Sequence, residues 1–141
     1  MRTLWLRDRA LDLDRVRLLG VLNLTPDSFS DGGRYLDPER ALERARAMVA
    51  EGADILDLGA ESTRPGAAPV PVEEEKRRLL PVLEAVLSLG VPVSVDTRKP
   101  EVAEEALKLG AHLLNDVTGL RDERMVALAA RHGVAAVVMH M

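Results

Sequence analysis

Residues 90–98 have the sequence Gly-Val-Pro-Val-Ser-Val-Asp-Thr-Arg, and this stretch contains the pattern that decides the fold. A glycine comes first, an apolar run follows, and the run ends in polar side chains. The same order recurs at Gly52, Gly110 and Gly133, each of which lies between an amphipathic segment and an apolar run. A glycine at such a place suits the left-handed residue that ends many helices. The repeat therefore predicts alternating helices and strands.

The apolar runs of this repeat predict five strands. They are too uniformly apolar to have a solvated face, as is typical of parallel strands buried on both sides. Between them, apolar residues recur at helical spacing, and Asp37 followed by Pro38 marks the start of the first helix. Strands that alternate with helices predict right-handed βαβ units and a parallel sheet. The predicted strands are Leu18–Leu24, Asp54–Gly59, Val91–Val95, His112–Val117 and Val134–Met139.

The polar residues at the strand ends favour a closed barrel over an open sheet. They follow every predicted strand, whereas an open doubly wound sheet concentrates its site at one crevice. No GxGxxG motif follows the first strand. We therefore predict an α/β fold, a TIM (β/α)8 barrel, with about its first five strands present. The strand-end residues are Asn23, Glu61, Asp96, Asn115 with Asp116, and His140.

Length and composition limit the domain organisation. The chain has 141 residues, of which 47% are hydrophobic and 30% are charged, as in an ordinary globular domain. Eight barrel units take about 250 residues, so we expect one incomplete domain over residues 1–141. Residues 1–15 alternate around Asp8-Arg9 and predict an N-terminal hairpin that caps one end of the sheet. Residues 16–141 are then the first part of the barrel.

Charge and hydropathy exclude several function classes. The net charge of −4 argues against binding of nucleic acid through bulk charge, because such domains are usually basic. No apolar run approaches the ~20 residues of a membrane helix, and the N-terminus lacks the apolar region of a signal peptide. The chain has no cysteine, which excludes thiolate metal sites. We expect a cytoplasmic protein that binds small molecules and neither nucleic acid nor membranes.

Two loops at the predicted rim contain candidate binding residues. The first, Asn23–Gly33, is long and polar and contains Phe29, which favours a lid that stacks on a flat ligand. Turn formation alone also explains its composition. The second, Glu61–Gly66, places Thr63 beside Arg64, a hydroxyl and a forked cation that suit a carboxylate or a phosphate. A lone arginine in such a loop is more often only solvated.

Asp96 and Asn115 follow adjacent predicted strands. A carboxylate after so apolar a strand is desolvated unless it is paired, and a pair with Arg98 or a cap on the next helix explains Asp96 equally well. Together, a carboxylate and an amide suit a planar heterocycle with an N–H edge. Met139 and His140 end the fifth strand, where a place in the core is commoner than a place in a site.

Four segments of the chain are similar to dihydropteroate synthases, the pterin-binding barrel enzymes of folate biosynthesis that sulfonamides target. The first two segments are long and highly specific, and the resemblance extends over the chain from the first barrel strand onward. We therefore expect the chain to be the N-terminal part of such an enzyme. The segments are Gly20–Gly33 (GVLNLTPDSFSDGG), Asp57–Ala67 (DLGAESTRPGA), Val93–Arg98 (VSVDTR) and Leu114–Gly119 (LNDVTG).

The resemblance implies a transferase that condenses (7,8-dihydropterin-6-yl)methyl diphosphate with 4-aminobenzoate to 7,8-dihydropteroate and diphosphate. It implies Mg²⁺ as a cofactor with Asn23 as a ligand, and it implies catalytic roles for Asp31 and Arg64. The residues it implies for the pterin and its diphosphate are Thr63, Asp96, Asn115 and Met139. Those it implies for 4-aminobenzoate are Phe29, Arg64 and Pro65.

Two other functions stay open from the sequence. One is the pterin-binding domain of a corrinoid-dependent methyltransferase, which shares the barrel and the pterin pocket but needs no loops for 4-aminobenzoate. The other is a truncated, non-catalytic pterin-binding module. The family's second pocket aspartate, its later lysine and its Arg-x-His pair have no match in the 141 residues. We therefore expect this segment alone to be inactive. The resemblance also implies that the full-length protein is a homodimer.

Overall fold

The computed structural model of the protein describes residues 2–24, 37–61 and 69–138. Within these ranges, a two-stranded hairpin precedes a five-stranded sheet that is flanked by four helices. The strands are β1 (Thr3–Leu6), β2 (Arg9–Asp12), β3 (Leu19–Asn23), β4 (Ile55–Gly59), β5 (Val93–Asp96), β6 (Leu113–Asp116) and β7 (Ala135–Val138). The helices are α1 (Pro38–Ala50), α2 (Val72–Leu87), α3 (Pro100–Leu109) and α4 (Glu123–His132).

The larger sheet has the strand order of a barrel. Strands β3 to β7 are neighbours in chain order, and every adjacent pair is parallel. A doubly wound sheet reverses its strand order at one point, and these five strands do not. The predicted α/β fold with the strand order of a TIM barrel is therefore confirmed for the part of the chain that the structure describes.

The helix ends follow from the residues that the sequence places there. The Asp37 side chain accepts a hydrogen bond from the backbone N–H of Arg40 at 2.8 Å and caps α1, and Pro38 occupies its first turn. Gly133 ends α4 in the left-handed conformation, with φ 62° and ψ 34°. The sequence predicts both of these helix ends.

The main core lies between the sheet and the helices. Alternate strand residues, among them Leu22, Leu58, Val95 and Leu114, face the helices and are buried. The prediction that all five strands are buried on both sides is correct for β4 but wrong for β3 and β7, whose inner residues are exposed. These two strands flank the sheet, so each has a neighbouring strand on one side only among the described residues.

The hairpin covers the amino ends of the sheet, as predicted. Leu6 is fully buried and packs against Ile55 and Leu113 at the starts of β4 and β6. The Arg7 guanidinium donates to the carbonyl of Ala111 at 2.8 Å. The turn lies one residue earlier than predicted, because Arg9 is already part of β2.

No helix among the described residues is long and apolar enough to cross a membrane.

Candidate functional site

Five residues at the carboxyl ends of the strands form one row across the sheet. Register pairs join Asn23 to Gly59, Gly59 to Asp96, Asp96 to Asn115, and Asn115 to Val137. Because paired residues of parallel strands point to the same face, this row lies on the inner face, opposite the helices. The structure thus brings Asp96 and Asn115 together on adjacent strands, as the sequence predicts.

The Asp96 carboxylate lies over the backbone of Gly59. A Cβ placed on Gly59 would be 3.4 Å from the Asp96 Cβ and 3.5 Å from its Oδ2, so the absence of a side chain at Gly59 makes room for the carboxylate. The proposed alternative of an Asp96–Arg98 pair is wrong, because the Arg98 Nε donates to Glu61 at 3.1 Å. No described residue donates a hydrogen bond to Asp96.

The electrostatic environment of Asp96 brings the pKa of its carboxyl close to neutral pH. Burial raises the pKa of Asp96 to about 7, and the negative charges of Asp57, Glu75 and Asp116 act in the same direction. A carboxyl with such a pKa exchanges its proton readily at neutral pH. At neutral pH both its protonated form and its ionised form are therefore populated.

Asn115 is held by a carboxylate from two strands away. Its side-chain Nδ2 donates to the Asp57 Oδ2 at 3.4 Å, across β5, which separates β4 from β6. The Asp57 residue is only 3% exposed. Burial raises the pKa of the Asp57 carboxyl, and the neighbouring side chains of Ser94 and Asn115 oppose that rise.

Several polar atoms on this face are buried without partners. Within the described ranges, Asp57 Oδ1, Ser94 Oγ and Asn115 Oδ1 have no hydrogen-bond partner. Ser94 is the register partner of Asp57, so the three atoms come from three adjacent strands. Buried polar groups in proteins are nearly always hydrogen-bonded, so a cluster of exceptions on one face indicates a place where another molecule supplies the partners.

Asp116, next to Asn115, has a structural role instead. Its Oδ1 accepts hydrogen bonds from both the backbone N–H and the hydroxyl of Thr118, each at 2.8 Å. Asp116 thus closes a turn, as aspartate side chains at strand ends often do. The two neighbours therefore differ, because Asp116 closes a turn while Asn115 stays on the inner face.

A buried ionic network ties the ends of β4 and β5 together. The Lys99 Nζ lies 2.8 Å from Glu61 Oε2 and 2.7 Å from Glu75 Oε1, and Thr97 donates its hydroxyl to Glu75 at 2.6 Å. Glu61 also accepts the backbone N–H of Val70 at 2.8 Å. Although burial opposes it, the hydrogen bond from Lys99 helps to lower the pKa of Glu61. The network therefore fixes both ends of the segment between Glu61 and Val70.

Asn23 is the one predicted metal ligand within the described ranges. It is exposed at the end of β3, in register with Gly59. No group of three or more acidic or histidine side chains among the described residues could hold a metal ion. A single amide oxygen fits the habit of Mg²⁺, which is held by one or two protein oxygens together with substrate phosphates.

Six predicted site residues lie outside the described residues, so the structure does not test their positions. They belong to the two predicted rim loops and to the end of the fifth strand. They are Phe29, Asp31, Thr63, Arg64, Pro65 and Met139.

The family follows from comparison with known proteins. A family model described as pterin binding enzyme matches residues 19–141. The chain belongs to the pterin binding enzyme family. The matched range contains all five strands of the parallel sheet and therefore the whole polar row on its inner face.

Several relatives of this chain are dihydropteroate synthases. That of Bacillus subtilis (strain 168) is 50% identical over 129 residues, which are 90% of this chain and 45% of that protein. The solved structure from Thermus thermophilus in complex with 4-aminobenzoate is 88% identical with a TM-score of 0.85, and the match covers 99% of this chain and 49% of that one. The Xanthomonas albilineans structure in complex with 7,8-dihydropteroate is 44% identical with a TM-score of 0.86, over 99% of this chain and 51% of that one.

The chain thus spans about half the length of these relatives. The similarity to dihydropteroate synthases that the four motifs predict is confirmed. The activity that the names of these relatives state belongs to proteins about twice as long as this chain. The rest of their length has no counterpart in the 141 residues.

Sequence reasoning missed three buried polar residues that lie within strands and helices. Asp57 and Ser94 stand inside apolar strands, and Glu75 lies in the first turn of a helix, where acidic residues are common. The sequence alone could have indicated Asp57 as a candidate site residue, because a carboxylate in the middle of a strand buried on both sides is costly without a partner. For Glu75 the helical pattern gave no such signal, since its partner Lys99 is distant in sequence.

Proposed function

We propose that the chain supplies the pterin pocket of a dihydropteroate synthase. The observation that carries the proposal is the polar row on the inner face, where a carboxylate and an amide on adjacent strands lie beside buried polar atoms that lack described partners. The bound molecules of two relatives support it, because one holds 4-aminobenzoate and another holds 7,8-dihydropteroate. The names of the curated relatives favour the synthase over a corrinoid-dependent methyltransferase.

In this proposal the pterin ring is recognised through its N–H groups. The Asp96 carboxylate accepts two of them, and the Asn115 amide completes the contact from the next strand. Burial of the carboxylate strengthens these hydrogen bonds, because the surroundings screen charge less than water does. Thr63 and Met139 are proposed as further contacts to the pterin and its diphosphate.

The proposed reaction exchanges one bond at the methylene carbon of the pterin. The amine of 4-aminobenzoate forms a carbon–nitrogen bond, the carbon–oxygen bond to diphosphate breaks, and the amine loses a proton to solvent. Because an aromatic amine is a weak nucleophile, the step depends on the departure of diphosphate and on positive charge that develops at the methylene carbon. We propose that Asp31 stabilises that charge with its carboxylate.

The remaining assignments concern the second substrate and the leaving group. Phe29, Arg64 and Pro65 are proposed to hold 4-aminobenzoate, Arg64 through its charge and Phe29 through its ring. Mg²⁺, held in part by Asn23, would neutralise charge on the leaving diphosphate. A homodimer and a cytoplasmic location belong to the same proposal and stay predictions.

Binding of the pterin substrate to the chain tests the proposal. We expect (7,8-dihydropterin-6-yl)methyl diphosphate to bind at pH 8 in isothermal titration calorimetry, and Asp96→Asn to weaken binding by at least tenfold. Asp8→Asn is the matched control, because Asp8 is exposed at the hairpin on the opposite end of the sheet. Absence of binding by the unsubstituted chain, or equal binding by Asp96→Asn, would contradict the pocket.

A product assay tests the extent of the activity. We expect the 141 residues alone to form no 7,8-dihydropteroate from the two substrates, because the family's later lysine and Arg-x-His pair have no match in them. Detectable product, measured by chromatography, would show that these groups are dispensable and would overturn that expectation.

A further inference from the structure

Asp57 contributes a buried carboxylate that the proposed reaction does not use. Its Oδ2 accepts the Asn115 Nδ2 at 3.4 Å, and its Oδ1 has no partner among the described residues. The residue is 3% exposed and lies two register positions before the row that contains Gly59 and Asp96, in register with Val21 and Ser94. A buried carboxylate in this place is costly, so its position calls for a function.

The chemistry of the two side chains fixes the orientation of the amide. An ionised carboxylate only accepts hydrogen bonds, whereas a side-chain amide has a donating NH₂ and an accepting oxygen. The Asn115 NH₂ must therefore face Asp57, and its Oδ1 must face away from it. In agreement with this, Asn115 Oδ1 is a buried atom without a described partner.

We propose that Asp57 is a positioning residue that holds the Asn115 amide with its oxygen toward the ligand, so that the site selects a heterocycle edge rich in N–H donors. With the amide held in this way, Asp96 and Asn115 present acceptors side by side on adjacent strands. A ring that carries an amino group and a ring N–H matches these acceptors. A ring with a carbonyl oxygen in place of the amino group sets an acceptor against an acceptor, which leaves buried groups unpaired. The inference rests on the proposed function, which it makes more specific.

Selectivity between two ligands is the first test. The probes are 7,8-dihydropterin and 7,8-dihydrolumazine; in the second, an oxygen replaces the amino group and the adjacent ring nitrogen N1 gains a hydrogen. We expect the unsubstituted chain to prefer dihydropterin by at least tenfold in Kd and Asp57→Ala to reduce that preference to threefold or less. Asp8→Ala is the matched control, because it is the same substitution at an exposed aspartate of the hairpin, on the opposite end of the sheet. We expect it to keep the preference within twofold.

The sequence provides a second test that needs no ligand. The chain has two asparagines, Asn23 and Asn115, and no glutamine, so its amide-region NMR spectrum contains two side-chain NH₂ pairs. Asn23 is exposed and serves as the internal reference. We expect the Asn115 protons to exchange with solvent at least tenfold more slowly than those of Asn23, and Asp57→Ala to remove most of that difference.

The outcomes separate the two proposals. If the unsubstituted chain binds no dihydropterin, the proposed function fails, and the exchange rates alone then support or overturn the role of Asp57. If it binds dihydropterin and Asp57→Ala keeps the full preference, the role of Asp57 is overturned while the function stands. Equal exchange of the Asn23 and Asn115 amides in the unsubstituted chain overturns the inference even where Asp57→Ala does not fold.

Discussion

The face of the central sheet that packs against the helices and the face that points inward bury their side chains in opposite ways. The helix-facing side of β4 presents Leu56, Leu58 and Ala60, which are apolar and belong to the main core. The inner side of the same strand presents Asp57 and Gly59, a buried carboxylate and a residue without a side chain. One strand thus serves packing on one face and chemistry on the other.

The difference shows how a barrel separates stability from function. Polar groups also occur outside the inner face, where Lys99 is matched with Glu61 and Glu75 and only the buried Oδ2 of Asp116 has no described partner. On the inner face the buried polar atoms of Asp57 and Ser94 have no described partner. Unmatched buried groups cost stability, and their clustering on the inner face supports the ligand pocket that we propose there.

Removal of the cation from the matched network gives the largest expected effect. Lys99→Met leaves Glu61 and the fully buried Glu75 without their shared partner. Loss of one member of a buried ion pair typically costs about 3–5 kcal/mol. We expect that decrease in the free energy of unfolding, measured with urea at pH 7. Lys108→Met, at an exposed helix pair, is the control and should change stability by less than about 0.5 kcal/mol. Similar effects of the two variants would contradict a matched network.

Truncation on the apolar face has the next largest effect. Leu58→Ala removes a fully buried side chain from the main core. Such substitutions cost about 2–5 kcal/mol, and we expect about 3 kcal/mol in urea unfolding. Val137→Ala, on the inner face of β7 and exposed, should cost less than about 1 kcal/mol. If Val137→Ala cost as much as Leu58→Ala, the two faces would not differ as described.

Replacement of the Asp96 carboxyl by a neutral amide should stabilise the fold. The pKa of Asp96 is raised by burial from 3.8 to about 7, so the stability that its protonated form contributes is complete below pH 3.8 and is lost as the pH rises to about 7. Asp96→Asn removes this loss. After allowance for partial exposure, we expect the variant to be more stable by about 2 kcal/mol at pH 8 and by nearly nothing at pH 3.5. A stability difference that is the same at both pH values would contradict the raised pKa.

A methyl group beneath Asp96 gives the smallest effect on the fold and a selective effect on the site. Gly59→Ala would place its Cβ 3.4 Å from the Asp96 Cβ, so the carboxylate must shift by a few tenths of an ångström. We expect pterin affinity to fall several-fold, because contacts in a site depend on such small displacements, while the midpoint of thermal unfolding changes little. Unchanged affinity would mean that Asp96 does not touch the ligand from this position.

Sequence reasoning was most successful where the signal was local or periodic. The Asp37 cap, the hairpin and the order of strands and helices all follow from short patterns, and the structure contains them. The row that joins Asp96 and Asn115 was predictable from topology, since parallel strands end at one rim. Long-range pairing was not predictable, because Asn115 meets Asp57 and Lys99 meets Glu75 only after the strands and helices have packed.

The most direct test of the central claim is the pH dependence of 7,8-dihydropterin affinity between pH 5.5 and 8.5. Because the Asp96 carboxylate must be ionised to accept the N–H groups, and its pKa is about 7, binding below that pH must first remove a proton. We expect the affinity of the unsubstituted chain to rise with pH and to level off above about pH 7, approaching a tenfold change per unit on the acidic side. Asp96→Asn should bind weakly with no pH dependence over this range. Strong binding that is independent of pH in the unsubstituted chain would contradict the claim that the ionised Asp96 carboxylate accepts hydrogen bonds from the pterin.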